Sequence, residues 1–407
     1  MQAGDGNSCI SDNQPSNLSV ARSLSPASMT AFSFAGAALV SASSSAATPL
    51  YHLYQQSMHL TPGMITLVFA VYAFSLLAAL LTVGGLSDYL GRRPVIFGGL
   101  LLNAIAMVVF AHAGTVGELI LARAVQGLCV GTATTAFGAA ILDCNRSQGP
   151  LLNSVTAFIG LMVGALGAAA LVTFAPDPFH LIYEVLLGIT MLLLVLLWWM
   201  PETVSRKPGA LASLRPHVGV PKQSRAILIR LTPATVATWA LGGFHMSLMP
   251  TVVTTAMGVN SPWIGGLVLP ALLVTAICAV VLFQKLPAER LIVFGTGALS
   301  LGVAVSLWGI GQQNLGLLFA GTLIAGAGFG GSFSGALRAL LPTAEAHQRA
   351  GLLAAFYVES YIAFSVPAVA AGISVPLFGL TTVTYVYGVA VIVLAAMSMV
   401  ASLRANN

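Results

Sequence analysis

Only 7% of the 407 residues are charged, so an acid and two bases within GGLSDYLGRRP, residues 84 to 94, are the first candidates for chemistry. Arg92 can hold Asp88 by a charge-assisted pair, and Arg93 can reach anionic lipid headgroups. Gly84 removes a side chain where two helices approach, and Gly91 permits a tight backbone turn. Two more ionisable residues stand inside apolar runs, where charge is costly and reads as functional by default. Arg123, in LARAVQGLCVG, is followed by Gln126, and Glu359, in AFYVESYIAF, has Tyr357, Ser360 and Tyr361 as its nearest polar neighbours. Glu359 is the best candidate for a group that takes up a proton in one state and releases it in another. The plain alternatives are a structural carboxyl bonded across helices and a snorkelling Arg123 paired with Glu118.

Enzyme chemistry has no foothold, since no carboxylate pair, HExxH or nucleophile elbow stands in a credible context. No GxxxxGK[ST] occurs, and none of Lys207, Lys222 and Lys285 follows a glycine, so ATP is not expected as a partner. The glycine-rich run GAGFGGSFSGAL, residues 326 to 337, follows no strand and lies in an apolar stretch, which argues against a phosphate loop. Cys9, Cys129, Cys144 and Cys278 are far apart and unpaired in sequence, so neither metal, cofactor nor disulfide is expected.

Positioning these residues falls to membrane helices. With 57% hydrophobic residues the composition lies outside the soluble range. Apolar runs long enough to span a bilayer recur near 29–50, 63–83, 94–113, 118–142, 151–174, 179–200, 231–256, 263–284, 290–310, 315–340, 350–373 and 376–402. They are about twice the length of barrel strands and apolar on all faces, so an all-α membrane protein with twelve transmembrane helices is predicted. With the N-terminus inside, every basic residue except Arg123 falls at a cytoplasmic end, and the external loops 51–62, 251–262, 311–314 and 374–382 hold no Lys or Arg. Both termini are therefore expected in the cytoplasm, and the net charge of +5 needs no nucleic acid to explain it. Residues 1–28, rich in Ser, Asn and Gln, read as a disordered tail, 29–202 as one six-helix bundle, 203–230 as a cytoplasmic linker, 231–403 as a second six-helix bundle and 404–407 as a short tail. Gly160, Gly164 and Gly167 give one helix a small-residue packing face.

Gly84, Leu86, Ser87, Asp88, Gly91, Arg92 and Arg93 match G-x-L-[SA]-D-x-x-G-R-[RK], and with the six-plus-six division the chain resembles the major facilitator superfamily over nearly its whole length. The resemblance implies a cytoplasmic loop between helices two and three whose aspartate latches the halves together, with Asp88 meeting the eleventh helix near Gly351. It gives Arg123 and Gln126, as R-x-x-Q-G, a role in proton coupling or substrate contact. It points to helices one, four, seven and ten as cavity walls, offering Ser44, Thr48, Trp239, Phe244, His245 and Phe333 as substrate-cavity candidates. Pro201, Glu202 and Thr203 match a common ending of the sixth helix. The antiporter pattern G-x-x-x-G-P-x-x-G-G is met at Gly160 and Gly164 but broken at Ala165, Ala168 and Ala169, so export is favoured only slightly over uptake. The expectation is a monomeric inner-membrane transporter, exchanging a small, fairly apolar molecule for protons by alternating access. Proton-coupled uptake or facilitated transport of a small metabolite is the alternative, and a transporter-shaped receptor that moves nothing is the remote one.

Overall fold

Capping residues set the start of several helices in the computed structural model, which describes residues 25–405 apart from 217, 260 and 346. Ser25, Thr61, Ser261 and Asn314 each accept a hydrogen bond from the backbone N–H three residues on, satisfying donors that the first turn leaves free. Thr115 and Glu118 form a reciprocal capping box. Twelve long helices follow in order: α1 (Pro26–Ala46), α2 (Pro62–Val83), α3 (Arg92–Ala111), α4 (Val116–Cys144), α5 (Gly149–Phe174), α6 (Leu181–Leu196), α7 (Lys222–Ser247), α8 (Pro262–Leu282), α9 (Ala288–Gly311), α10 (Leu315–Leu340), α11 (Arg349–Phe378) and α12 (Leu380–Ala405). Among the described residues, eleven are long and apolar enough to cross a membrane. The remaining one, α1, is diluted by Ser41, Ser43, Ser44 and Ser45, yet it packs among α4, α5 and α6 as part of the same bundle.

Several boundaries differ from expectation. The first helix begins at Pro26 rather than 29, so the expected tail loses its last residues to a helix capped by Ser25; residues 1–24 lie outside the described residues. The linker expected over 203–230 ends at Pro221, because α7 starts at Lys222. Its first nine residues, KQSRAILIR, carry charge without breaking the helix, and hydropathy marks where a helix enters the bilayer rather than where it begins. At the other end α12 continues through Arg404 to Ala405. Gly379, at φ 79°, makes the turn between α11 and α12, which therefore lies beyond the position the apolar runs suggest.

The two bundles are held by different means. In the first, α5 lies against α1, where a Cβ at Gly160 or Gly164 would collide with the α1 backbone at Ala38 or Ala42; Gly167 faces open space. In the second, Gly295, Gly302 and Gly309 of α9 face Gly321, Gly328 and Gly335 of α10, each set spaced by seven residues, and a Cβ at any of the six would strike the opposite helix. A seven-residue repeat keeps one seam facing its partner when two helices wind around each other. Close approach through glycine supplies the van der Waals contact that hydrophobic association cannot supply in lipid.

The bundles meet through α2 with α11 and α5 with α8. The aromatic contacts and close glycine approaches between them run from the middle of the helices to the end poor in basic residues: Phe158 with Phe333 and Phe69 with Phe364 midway, then Gly372 against Thr66, Gly266 against Ala169 and Phe174 against Trp263. Exposed Trp198 and Trp199 mark one membrane interface and exposed Trp308 the other.

Candidate functional site

At the basic end, Gly91 adopts φ 95° and ψ 160°, open to glycine alone at little cost, and a Cβ there would meet the Glu202 carboxylate. That bare backbone lets Glu202 cap α3: Oε1 accepts from the Arg92 N–H at 2.7 Å and Oε2 from the Arg93 N–H at 3.0 Å. A carboxylate at a helix N-terminus satisfies free donors and meets the positive end of the dipole. The buried Arg92 guanidinium then binds Asp88 at 2.5 Å, Ser87 at 2.7 Å and Asp143 at 2.9 Å, while Thr203 donates to the same Asp143 oxygen at 2.8 Å. Arg93 donates to the Trp198 carbonyl at 3.1 Å. The start of α3, the end of α4 and the segment after α6 are thereby joined around one arginine. Asp143 and Glu202 had not been singled out as partners. Asp143 has a legible signal, an acid at an end where topology favours bases; Glu202 belongs to the Pro201–Glu202–Thr203 ending of the sixth helix, which carries no statement about what it touches.

Asp88 does not reach α11. Its side chain is 61% exposed, and the carbonyl of Gly351 accepts from the linker N–H of Gly219 at 3.2 Å. The linker is also tied to the first bundle, where the Lys207 N–H donates to the Tyr89 carbonyl at 2.9 Å.

Arg123 and Gln126 are both fully buried within the first bundle. Arg123 donates to the Ser44 carbonyl at 2.9 Å, to Gln126 Oε1 at 2.5 Å and to the Tyr51 hydroxyl, and its guanidinium lies 5.4 Å from the Tyr51 and Tyr72 ring centroids and 5.6 Å from Phe110. Gln126 donates in turn to the Ser43 carbonyl at 2.9 Å. Among the described residues no acid pairs with Arg123; Glu118 instead caps α4, accepting from the Gly114 and Thr115 N–H groups. An arginine at depth costs about 2.5–3.5 kcal/mol on insertion scales, and this one is compensated by oriented dipoles and ring faces rather than by a counter-charge.

Glu359 sits about 15 Å along α11 from its first residue, counting 1.5 Å per residue, opposite the Thr232 side chain of α7. One of its oxygens, Oε1, is buried without a partner. The cavity candidates separate into two groups. Ser44, Thr48, Phe244 and His245 are buried, with Ser44 bonded to the Ser41 carbonyl, Phe244 against Tyr387 and His245 Nδ1 donating to the Leu241 carbonyl. Trp239 and Phe333 come together, with centroids 6.0 Å apart, in a row of rings that runs on to Phe158 on one side and to Tyr361 and Phe364 on the other. The positions of Tyr361 and Phe158 in this row were not foreseen, because single aromatics in apolar runs carry no signal of which face they occupy.

Residues 33–366 match the model of the Major Facilitator Superfamily. The chain is 24% identical over 292 residues to the multidrug resistance protein MdtL of Klebsiella pneumoniae, covering 69% of this chain and 74% of that one. It also resembles the solved structure of a bacterial homologue of the human lysosomal transporter Spinster, inward-facing and unoccupied, with TM-score 0.73 and 13% identity over 93% of this chain and 97% of that one. The xylose transporter XylE of E. coli, in a partially occluded inward-open conformation, gives TM-score 0.69 and 15% identity over 92% and 98%.

Proposed function

The chain belongs to this superfamily, a multi-pass membrane transporter and not an enzyme, and on that premise we propose that it exports a small, fairly apolar organic compound across the inner membrane in exchange for protons. The observation that carries the proposal is the one-sided meeting of the bundles. Direct ring and glycine contacts join them from the middle to the poorly charged end, while the linker crosses at the basic end. This is one of the two arrangements that alternating access requires. The positive-inside rule makes the basic end cytoplasmic, so this arrangement is open to the cell interior.

In the opposite arrangement the basic ends close, and exposed Asp88 meets the N-terminus of α11, whose free N–H groups favour a carboxylate. Arg92 holds Asp88 ready for that contact, and Arg92 is itself fixed by Asp143. Glu359, with one oxygen lacking a partner, is the site where a proton is taken up and released. Arg123 and Gln126 tie that protonation to the swing of the two bundles. The multidrug resistance protein among the relatives favours export, and the aromatic row suits an apolar cargo.

Flux in proteoliposomes with and without an imposed pH gradient tests the proposal. Exchange predicts outward cargo movement driven by protons entering, and Glu359→Gln should abolish the drive while leaving passive exchange of cargo. Coupled flux that persists unchanged in Glu359→Gln rules out this proton site. Uptake driven by the same gradient reverses the proposed direction.

A further inference from the structure

The row of rings divides by exposure in a way that export alone does not require. Phe69, Phe158, Phe329 and Phe364 are buried and form the seam between the bundles. Trp239, Phe333, Tyr357 and Tyr361 are only partly buried, and all four belong to the second bundle, on α7, α10 and α11. Trp239 lies 6.0 Å from Phe333 and 5.2 Å from Tyr361, and Tyr361 lies 6.2 Å from Tyr357, so the four form one connected wall on the basic side of the seam. Among the described residues, the indole N–H of Trp239 and the hydroxyls of Tyr357 and Tyr361 make no hydrogen bond to another side chain or backbone group, and none is among the sealed polar atoms lacking a partner. Polar edges left free on partly exposed rings are available to a ligand, whereas rings that serve packing alone have no need of them. Of the basic groups that flank this wall in sequence, Arg338 is spent on the carbonyls of Phe283 and Leu286 and Arg349 on that of Ala344, while Arg230, nine residues before Trp239 on α7, keeps a buried Nε without a partner.

We propose that this wall is the recognition surface for the cargo, and that it selects planar aromatic compounds whose edge carries a hydrogen-bond acceptor. This rests on the transporter reading and narrows its substrate class. The plane of the cargo stacks against Trp239 and Phe333, and its acceptor receives a hydrogen bond from Trp239 Nε1 or a tyrosine hydroxyl. The second bundle holds the cargo and the first closes over it. Trp239 is the specificity-determining residue, because it is the ring that touches both Phe333 and Tyr361.

Two neutral ketones of the same carbon count separate planarity from apolarity: 9-fluorenone, flat and aromatic, and dicyclohexyl ketone, bulky and saturated. Equilibrium dialysis against purified full-length protein in micelles, with empty micelles subtracted, gives the affinity of each. Fluorenone is expected to bind about fivefold or more tightly than dicyclohexyl ketone, within the range that aromatic pairs contribute beyond area. Trp239→Leu should remove that preference, Trp239→Phe should keep most of it, and Phe333→Leu should reduce it, with the thermal unfolding midpoint of each variant recorded alongside. Equal affinity for the two ketones in the native protein overturns the proposal. So does equal loss in Trp239→Phe and Trp239→Leu at unchanged thermal midpoint, which would assign the ring to packing. If fluorenone binds as expected but an imposed pH gradient drives no movement of it beyond that in protein-free liposomes, the transporter reading fails and the wall stands. If another compound is transported while fluorenone and dicyclohexyl ketone bind equally, the wall fails alone.

Discussion

Glu202 shows what one carboxylate can do when a glycine leaves room for it. It accepts from two N–H groups at the start of α3, so Glu202→Ala should cost about 1–2 kcal/mol of stability, and Glu202→Gln, which retains one acceptor oxygen, should cost less. Thermal unfolding in detergent checks this, and equal losses would show that the carboxylate is not a cap. Gly91→Ala combines a backbone strained for any side chain with a collision against the same carboxylate. A loss of about 1–3 kcal/mol is expected, only partly relieved in the double variant with Glu202→Ala, because the strain at φ 95° remains. Arg123 makes the opposite case. It is buried without an acid, so Arg123→Met should leave the unfolding midpoint unchanged or raised while removing activity. A midpoint lowered by more than a few degrees would mean that the charge serves the fold rather than transport.

Helices obey a harsher rule, because what decides a glycine is whether another backbone lies against it. Gly328 stands where α9 and α10 touch, and Gly167 faces open space. Gly328→Leu should prevent recovery of monodisperse protein by size-exclusion chromatography, and Gly167→Leu should be tolerated. Similar behaviour of the two variants would undo the account of how the second bundle is held. In the sequence these glycines look alike. Apolar runs announced the twelve helices, since length is a local property. The seven-residue register of α9 against α10 depends on two segments at once, and no single run displays it. The same limit hid the ends of the linker: α7 extends nine residues beyond its apolar stretch because a helix outside the bilayer needs only its own backbone bonds.

Across the whole molecule, the site was legible in its parts and not in their grouping. Asp88, Arg92, Arg123 and Glu359 declared themselves as charges in an apolar chain. Ser44, Thr48, Phe244 and His245 were placed by helix number, which does not say which face of the helix a residue takes, and all four are buried. Asp88 and Gly351 stand apart here, and in the proposed cycle the opposite arrangement joins them. A wedge at the closed end should produce that arrangement: Gly372→Leu places a side chain against Thr66, forcing α11 from α2 where the bundles now meet. Spin labels on Ser147, in the loop before α5, and Lys285, in the loop after α8, report the separation of the bundles at the basic end without any knowledge of the cargo. The rocking account predicts a long distance dominating in the native chain and a shorter population growing in Gly372→Leu; one unchanged distance in both proteins would contradict it.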